Sequence, residues 1–197
     1  MSATKNSRAL APFALSAFIV AADQASKLAV LKAIRPGDIA WSAFGDFFWL
    51  VHHKNLGAAF SMGDGMPSFL RLLMLIIIPL ALLAGLIIYY FKTDDFSLVQ
   101  RWSIGCIVGG GLGNLIDRIW RPEGVVDFLS FKFYGLFGLE RWPTFNVADM
   151  AIVVGGLLIL LSMFLPDSHG ALKGGGSTAA KSKPAVKAKG PKLNQRR

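Results

Sequence analysis

Between Leu70 and Tyr90 the chain carries one charged residue, Arg71, at the very start of an otherwise apolar run. As a helix rising 1.5 Å per residue, a run of that length covers roughly 30 Å, the thickness of a bilayer's hydrocarbon core. Pro79 lies inside it, which predicts a kink and not a break. Three further stretches, 10–34, 98–120 and 145–165, are of similar length, so the spacing predicts four spans. Of 197 residues 53% are hydrophobic and 17% charged, and the mean hydropathy is +0.49. Soluble domains carry roughly 25% charge, so the chain reads as a small polytopic membrane protein with no large soluble domain.

Orientation follows from the basic residues. Lys5 and Arg8 precede the first span, Lys92 and Arg101 bound the second connection, and a Lys- and Arg-rich tail (167–197) follows the fourth. With four spans all of these fall on one side, so the positive-inside rule puts both termini in the cytoplasm. Segments 35–68 and 121–144 then face outward. Trp102, Trp120 and Trp142 fall near span ends, as interfacial anchors do. Residues 39–51 and 56–62 mix aromatics with Gly and Ala and read as short strands at the membrane surface. Lys5, Arg8 and the apolar run to Ala22 also resemble a signal peptide. Apolar character resumes after Lys27 and continues to Ile34, however, which favours a full span. The formal net charge of +9 is concentrated in the tail, which reads as a disordered segment touching anionic lipid and not as a nucleic-acid site.

Polar residues interrupt three of the spans one helical turn apart: Asp23 with Lys27, Asn114 with Asp117, and Asn146 with Asp149. An ionisable side chain at the centre of an inserted helix costs about 2.5 to 3.5 kcal/mol, so three such sets imply a shared site. The topology puts all three at the outer leaflet, and i,i+3 or i,i+4 spacing puts each set on one helix face. Asp127 follows Asp117 by ten residues, across a turn marked by Pro122 and Gly124, within reach of the same depth. The bland alternative is interhelical hydrogen-bond glue, with Asp117 a counter-ion to Arg118 or Lys27.

No Ser–His–Asp or Cys–His set is apparent. His52 and His53 read as surface residues, and Cys106, the only cysteine, reads as a small buried hydrophobe. The Gly109–Gly111 run with Gly113 lacks the Lys and the strand of a phosphate loop and reads as close helix packing. Two Asp carboxyls in a partly desolvated site cannot both ionise easily, so the pair holds one proton. One member can then activate a water while the other polarises a carbonyl and serves the leaving amine. This chemistry calls for no metal or other cofactor, although an acid cluster with Asn also suits a hard cation better than zinc.

Five ordered motifs carry a resemblance: Asp23-Gln-Ala-Ser-Lys27, Asn55-Leu-Gly-Ala-Ala-Phe60, Gly113-Asn-Leu-Ile-Asp-Arg118, Val125-Val-Asp-Phe128 and Phe145-Asn-Val-Ala-Asp149. Together they resemble the bacterial lipoprotein signal peptidase (signal peptidase II) family over about residues 9–165. The resemblance implies an all-α membrane bundle of four transmembrane helices with a small periplasmic β-sheet cradle at 39–62 and a flexible outer helix or lid at 129–144. It implies an aspartic endopeptidase of the bacterial inner membrane that cleaves diacylglyceryl prolipoproteins before the lipidated cysteine. Asp127 and Asp149 match the catalytic pair. Asp23, Lys27, Asn55, Gly57, Asn114, Arg118 and Asn146 match positions that support substrate or dyad, and Asp117 matches a structural acid. Membrane lipids, prolipoproteins and globomycin-type inhibitors are the implied partners of a monomer. Leu56 stands where the family commonly has Thr. The rival class is a small transporter or channel subunit using buried acids as a proton or cation relay, although no inverted repeat is evident. A lipid-phosphate transferase would need Asp residues at metal-binding spacing.

Overall fold

The structure is a computed structural model and describes residues 2–57 and 67–164, with side chains from residue 10 onward. The sequence expectations that fall on 58–66 and 165–197, including the last residues of the cradle and the basic tail, lie outside the described residues. The chain opens with α1 (Ser2–Ala33), followed by an antiparallel hairpin of β1 (Ile39–Ala43) and β2 (Phe48–Asn55). Next come α2 (Ser68–Leu72), a π-helical turn (Leu73–Ile77) and α3 (Ile78–Lys92), then α4 (Leu98–Trp120), β3 (Val125–Phe131) and α5 (Val147–Ser162).

Two helical stretches, Leu10–Ala33 and Ser68–Lys92, are long and apolar enough to cross a membrane. The other two main helices depart from that measure for visible reasons. α4 carries Asn114, Asp117 and Arg118, and the described part of α5 is 16 residues. The irregularity expected at Pro79 takes the form of the π-helical turn just before it, since proline lacks the N–H needed to continue the ordinary ladder.

α4 is the central helix, packed on α1, α3 and α5. Its glycines allow this: a Cβ on Gly105 would lie 2.5 Å from the Pro12 carbonyl oxygen, and one on Gly109 would lie 2.9 Å from the Ser16 backbone. Ser16 Oγ then donates to the Gly105 carbonyl at 2.7 Å across the seam. Small residues of this kind let helix backbones approach where lipid provides no hydrophobic drive. Leu83, Tyr90, Ile104, Val108 and Leu115 form a buried cluster between α3 and α4.

The sheet has the order β1-β2-β3, antiparallel throughout, with His53 opposite Asp127 and Asn55 opposite Val125. Val126 and Phe128 pack with Val30 and Ile34 at the end of α1, which fixes the sheet against the helices. The 129–144 segment differs from the expected outer helix. Its start continues β3, and its only helix is a 3-10 turn, Leu136–Gly138. The β-branched and aromatic run Val125-Val-Asp-Phe-Leu-Ser-Phe131 explains the strand. His52 also departs from its surface reading. Strand alternation turns it inward, 2% exposed, where Nδ1 lies 2.7 Å from the Ile34 carbonyl at the end of α1. His53 is exposed, as expected.

Candidate active site

α5 begins on a reciprocal cap. The Asn146 side chain accepts from the Asp149 N–H at 3.0 Å, and Asp149 Oδ2 accepts from the Asn146 N–H at 3.1 Å. Such a box satisfies backbone donors that the first helical turn leaves without partners, and it sets an acid at the positive end of the helix dipole. A third donor of that turn, the Ala148 N–H, is met from α1 by Asp23 Oδ1 at 3.0 Å.

The cap leaves one Asn146 group for other partners. Its Nδ2 donates to Asp127 Oδ1 at 2.6 Å and to Asn114 Oδ1 at 3.1 Å. Asn55 Nδ2 donates to the other Asp127 oxygen at 2.9 Å, and Asn114 Nδ2 donates to Asp149 Oδ1 at 2.7 Å. Both carboxyls are therefore oriented through both oxygens, by amides that cannot themselves titrate. Burial, and then the charge of Asp149, raise the Asp127 carboxyl from the ordinary aspartate range to about 7.

Behind this pair lies a buried ionic layer. Lys27 Nζ meets Asp23 Oδ2 at 2.8 Å, Asp117 Oδ2 at 3.0 Å and Asn114 Oδ1 at 3.0 Å, which uses all three of its donors. The side chains of Lys27, Asp23 and Asp117 are 0% exposed. Asp117 also accepts from Arg121, Gln24 and the Val126 N–H. Its counter-ions are thus Lys27 and Arg121, not Arg118. Arg118 points toward the dyad and donates to the Gly57 carbonyl at 2.6 Å, while the Gly57 N–H is held by Asn55.

Gly113 is needed here. A Cβ at that position would fall 2.8 Å from Asp23 Oδ2, so only glycine lets α4 pass beside the ionic layer.

Asn55, Asn114, Arg118, Asp127 and Asp149 line one cavity of about 420 Å³. The rest of its lining is mostly apolar: Val125, Met150, Ile152, Val153 and Val154, and the segment from Trp142 to Phe145. The sequence reading did not include Gln24, Arg121 or the 142–145 wall. The first two carried a signal: Arg121 is i+4 from Asp117, and Gln24 adjoins Asp23. The wall carried none that spacing reveals. Among the described residues no three His, Cys, Asp or Glu side chains gather to hold a metal ion.

The arrangement is chemically specific. Two carboxyls at the end of an otherwise apolar cleft, with a guanidinium nearby, suit acid–base work on a substrate that arrives along the hydrophobic walls.

Comparison with known proteins points the same way. The family model described as signal peptidase (SPase) II matches residues 15–165. A lipoprotein signal peptidase of Treponema pallidum is 46% identical over 151 residues, covering 77% of this chain and 81% of that protein. One from Borreliella burgdorferi is 44% identical over 142 residues, covering 72% and 82%. A solved bacterial membrane enzyme, determined by the in meso method at 2.3 Å, superposes with a TM-score of 0.65 and 28% identity over 89% of this chain and 94% of its own. All five motifs lie within the matched span, and each supplies residues to the cleft or to the ionic layer behind it; the chain belongs to the signal peptidase II family of lipoprotein signal peptidases and is a membrane peptidase.

Proposed function

We propose that the chain is a metal-independent aspartic endopeptidase in which Asp127 and Asp149 are the catalytic pair. The observation that carries this reading is their shared support by Asn146, at the end of one apolar cleft. A carboxyl raised to about 7 beside a second carboxyl is suited to hold one proton between two groups near neutral pH. The ionised member takes a proton from water as its oxygen adds to the scissile carbonyl carbon. The protonated member gives its proton to the carbonyl oxygen. Collapse of the gem-diol intermediate breaks the C–N bond: one of its hydroxyls returns a proton to the pair as the carbonyl re-forms, the amine leaves with the other proton of the pair, and one proton remains for the next turnover. Arg118 lies close enough to the pair to offset negative charge that develops there.

The substrate in this reading is a diacylglyceryl prolipoprotein, cut before the lipidated cysteine, and the α5 wall receives the apolar part of the precursor. Four helices span the bacterial inner membrane with both termini cytoplasmic, the core ends near residue 166, and the basic tail 167–197 lies at the inner leaflet. The sheet and the 121–144 segment face the periplasm, the enzyme acts as a monomer, and globomycin-type inhibitors compete for the cleft. Asp23, Lys27, Asn55, Gly57, Asn114, Asp117, Arg118 and Asn146 support substrate or pair.

The test is cleavage of a lipidated precursor by the purified protein, with and without EDTA, beside Asp127→Asn and Asp149→Asn. Each variant is expected to lose at least about 10³-fold in rate while remaining folded and inserted, with EDTA without effect. Wild-type rates from either variant would falsify the assignment.

A further inference from the structure

The part of the cavity wall formed by residues 142–145 is a short bridge pinned at both ends. At its inner end, Phe145 pairs with Leu129 of β3, its N–H donating to the Leu129 carbonyl at 2.9 Å and its carbonyl accepting from the Leu129 N–H at 2.9 Å. At its outer end stands Arg141. The guanidinium carbon of Arg141 lies 3.4 Å from the ring centre of Trp49 on β2. Its nitrogens donate to Ser130 Oγ at 3.0 Å, to the Ser130 carbonyl at 3.2 Å and to the Asp46 carbonyl at 3.0 Å. One planar group thus joins the β1–β2 turn, β2 and β3 to the residue that begins the wall. Asp46 supports the joint, holding Trp49 Nε1 and Lys132 while it occupies a left-handed backbone conformation.

None of these partners holds the dyad. Asp127 and Asp149 take their hydrogen bonds from Asn55, Asn114 and Asn146. We infer that Arg141 is a positioning residue that fixes the Trp142–Phe145 wall at the distance from α5 that suits the substrate, and so governs how well a lipidated precursor binds rather than how fast it is cut. This rests on the aspartic-peptidase reading of the cleft. The chemistry also says why arginine stands there. A lysine offers a point charge that cannot stack flat on the indole and donate in several directions at once.

The test is steady-state kinetics on a diacylglyceryl peptide with Arg141→Ala, Arg141→Lys and Trp49→Leu, alone and with Arg141→Ala and Trp49→Leu combined, each with a thermal midpoint. Arg141→Ala and Trp49→Leu are each expected to raise KM about five- to tenfold with kcat within about twofold, the loss of a stacked guanidinium and its hydrogen bonds. Arg141→Lys should recover little of the loss, and the combined variant should be no worse than the poorer single one. Unchanged KM in Arg141→Ala, full rescue by lysine, or additive losses in the combined variant would each overturn the inference. So would kcat falling in step with the thermal midpoint. Should Arg141→Ala not fold, the Trp49→Leu and Arg141→Lys measurements decide alone. Failure of the wild type to cleave the peptide at all would instead count against the peptidase chemistry on which the inference stands.

Discussion

The side-chain amide of Asn146 donates to Oδ1 of Asp127 at 2.6 Å, so the residue that caps α5 also holds a carboxyl on β3. The two duties can be separated. Serine still caps a helix but is too short to reach Asp127. Asn146→Ser should therefore keep the thermal midpoint near wild type while kcat falls about 10²-fold, and Asn146→Ala should cost about 1 kcal/mol of stability besides. A serine variant with wild-type kcat would show that the amide does not orient the pair.

In the proposed mechanism Asp127 sets the pH dependence. Its carboxyl is neutral below about 7 and ionised above it, so the proton shared by the pair is lost as pH rises through that value. The rate on a lipidated peptide should fall on the alkaline side of about 7, and a profile that stays flat from about pH 6 to 9 would contradict this. Stability follows with the same sign. An unfolded aspartate ionises near about 3.9, so between about 4 and 7 the folded chain binds more protons than the unfolded one and loses stability as pH rises. Asp127→Asn should flatten that slope in thermal melts across the same window.

Lys27 neutralises two carboxylates that have no access to solvent. Lys27→Met leaves Asp23 buried with no counter-ion and Asp117 with Arg121 alone, which is expected to cost about 3–5 kcal/mol. Adding Asp23→Asn removes the stranded charge, so the double variant should melt above Lys27→Met. A double variant that melts lower would place the role of Lys27 outside this ion group.

Gly110 brings α4 against α5. A Cβ there would meet the Ala148 carbonyl and, at 2.8 Å, the Ile152 side chain. Gly110→Ala should cost about 1–3 kcal/mol and slow cleavage, because the displaced contacts run straight into the α5 cap. Gly156→Ala, where nothing lies within 4 Å, serves as the control and should leave cleavage unchanged and stability no lower. Equal melting of the two variants would show that this seam is not tight.

Much of the site could be read from spacing. Asp23 with Lys27, Asn114 with Asp117, and Asn146 with Asp149 sit one turn apart, and the depth each pair takes in a four-span topology already brings them together. What spacing could not provide was the choice among partners. Asp117 sits beside Arg118 in sequence, yet successive helical positions face about 100° apart, so Arg121, one turn on, takes the ion pair. His52 read as a surface residue because it adjoins His53 and Lys54. Strand alternation separates such neighbours onto opposite faces, and which face is covered depends on where the end of α1 lies. The third strand carries no local pairing signal, because Val125–Phe131 follows a helix and pairs with residues seventy or more positions earlier.

The reciprocal cap between Asn146 and Asp149 has a further consequence. In the proposed mechanism the reagent and the start signal of its own helix are one group, so α5 cannot begin elsewhere without dismantling the pair. The pair is then complete only once the first turn of α5, the last helix among the described residues, has wound.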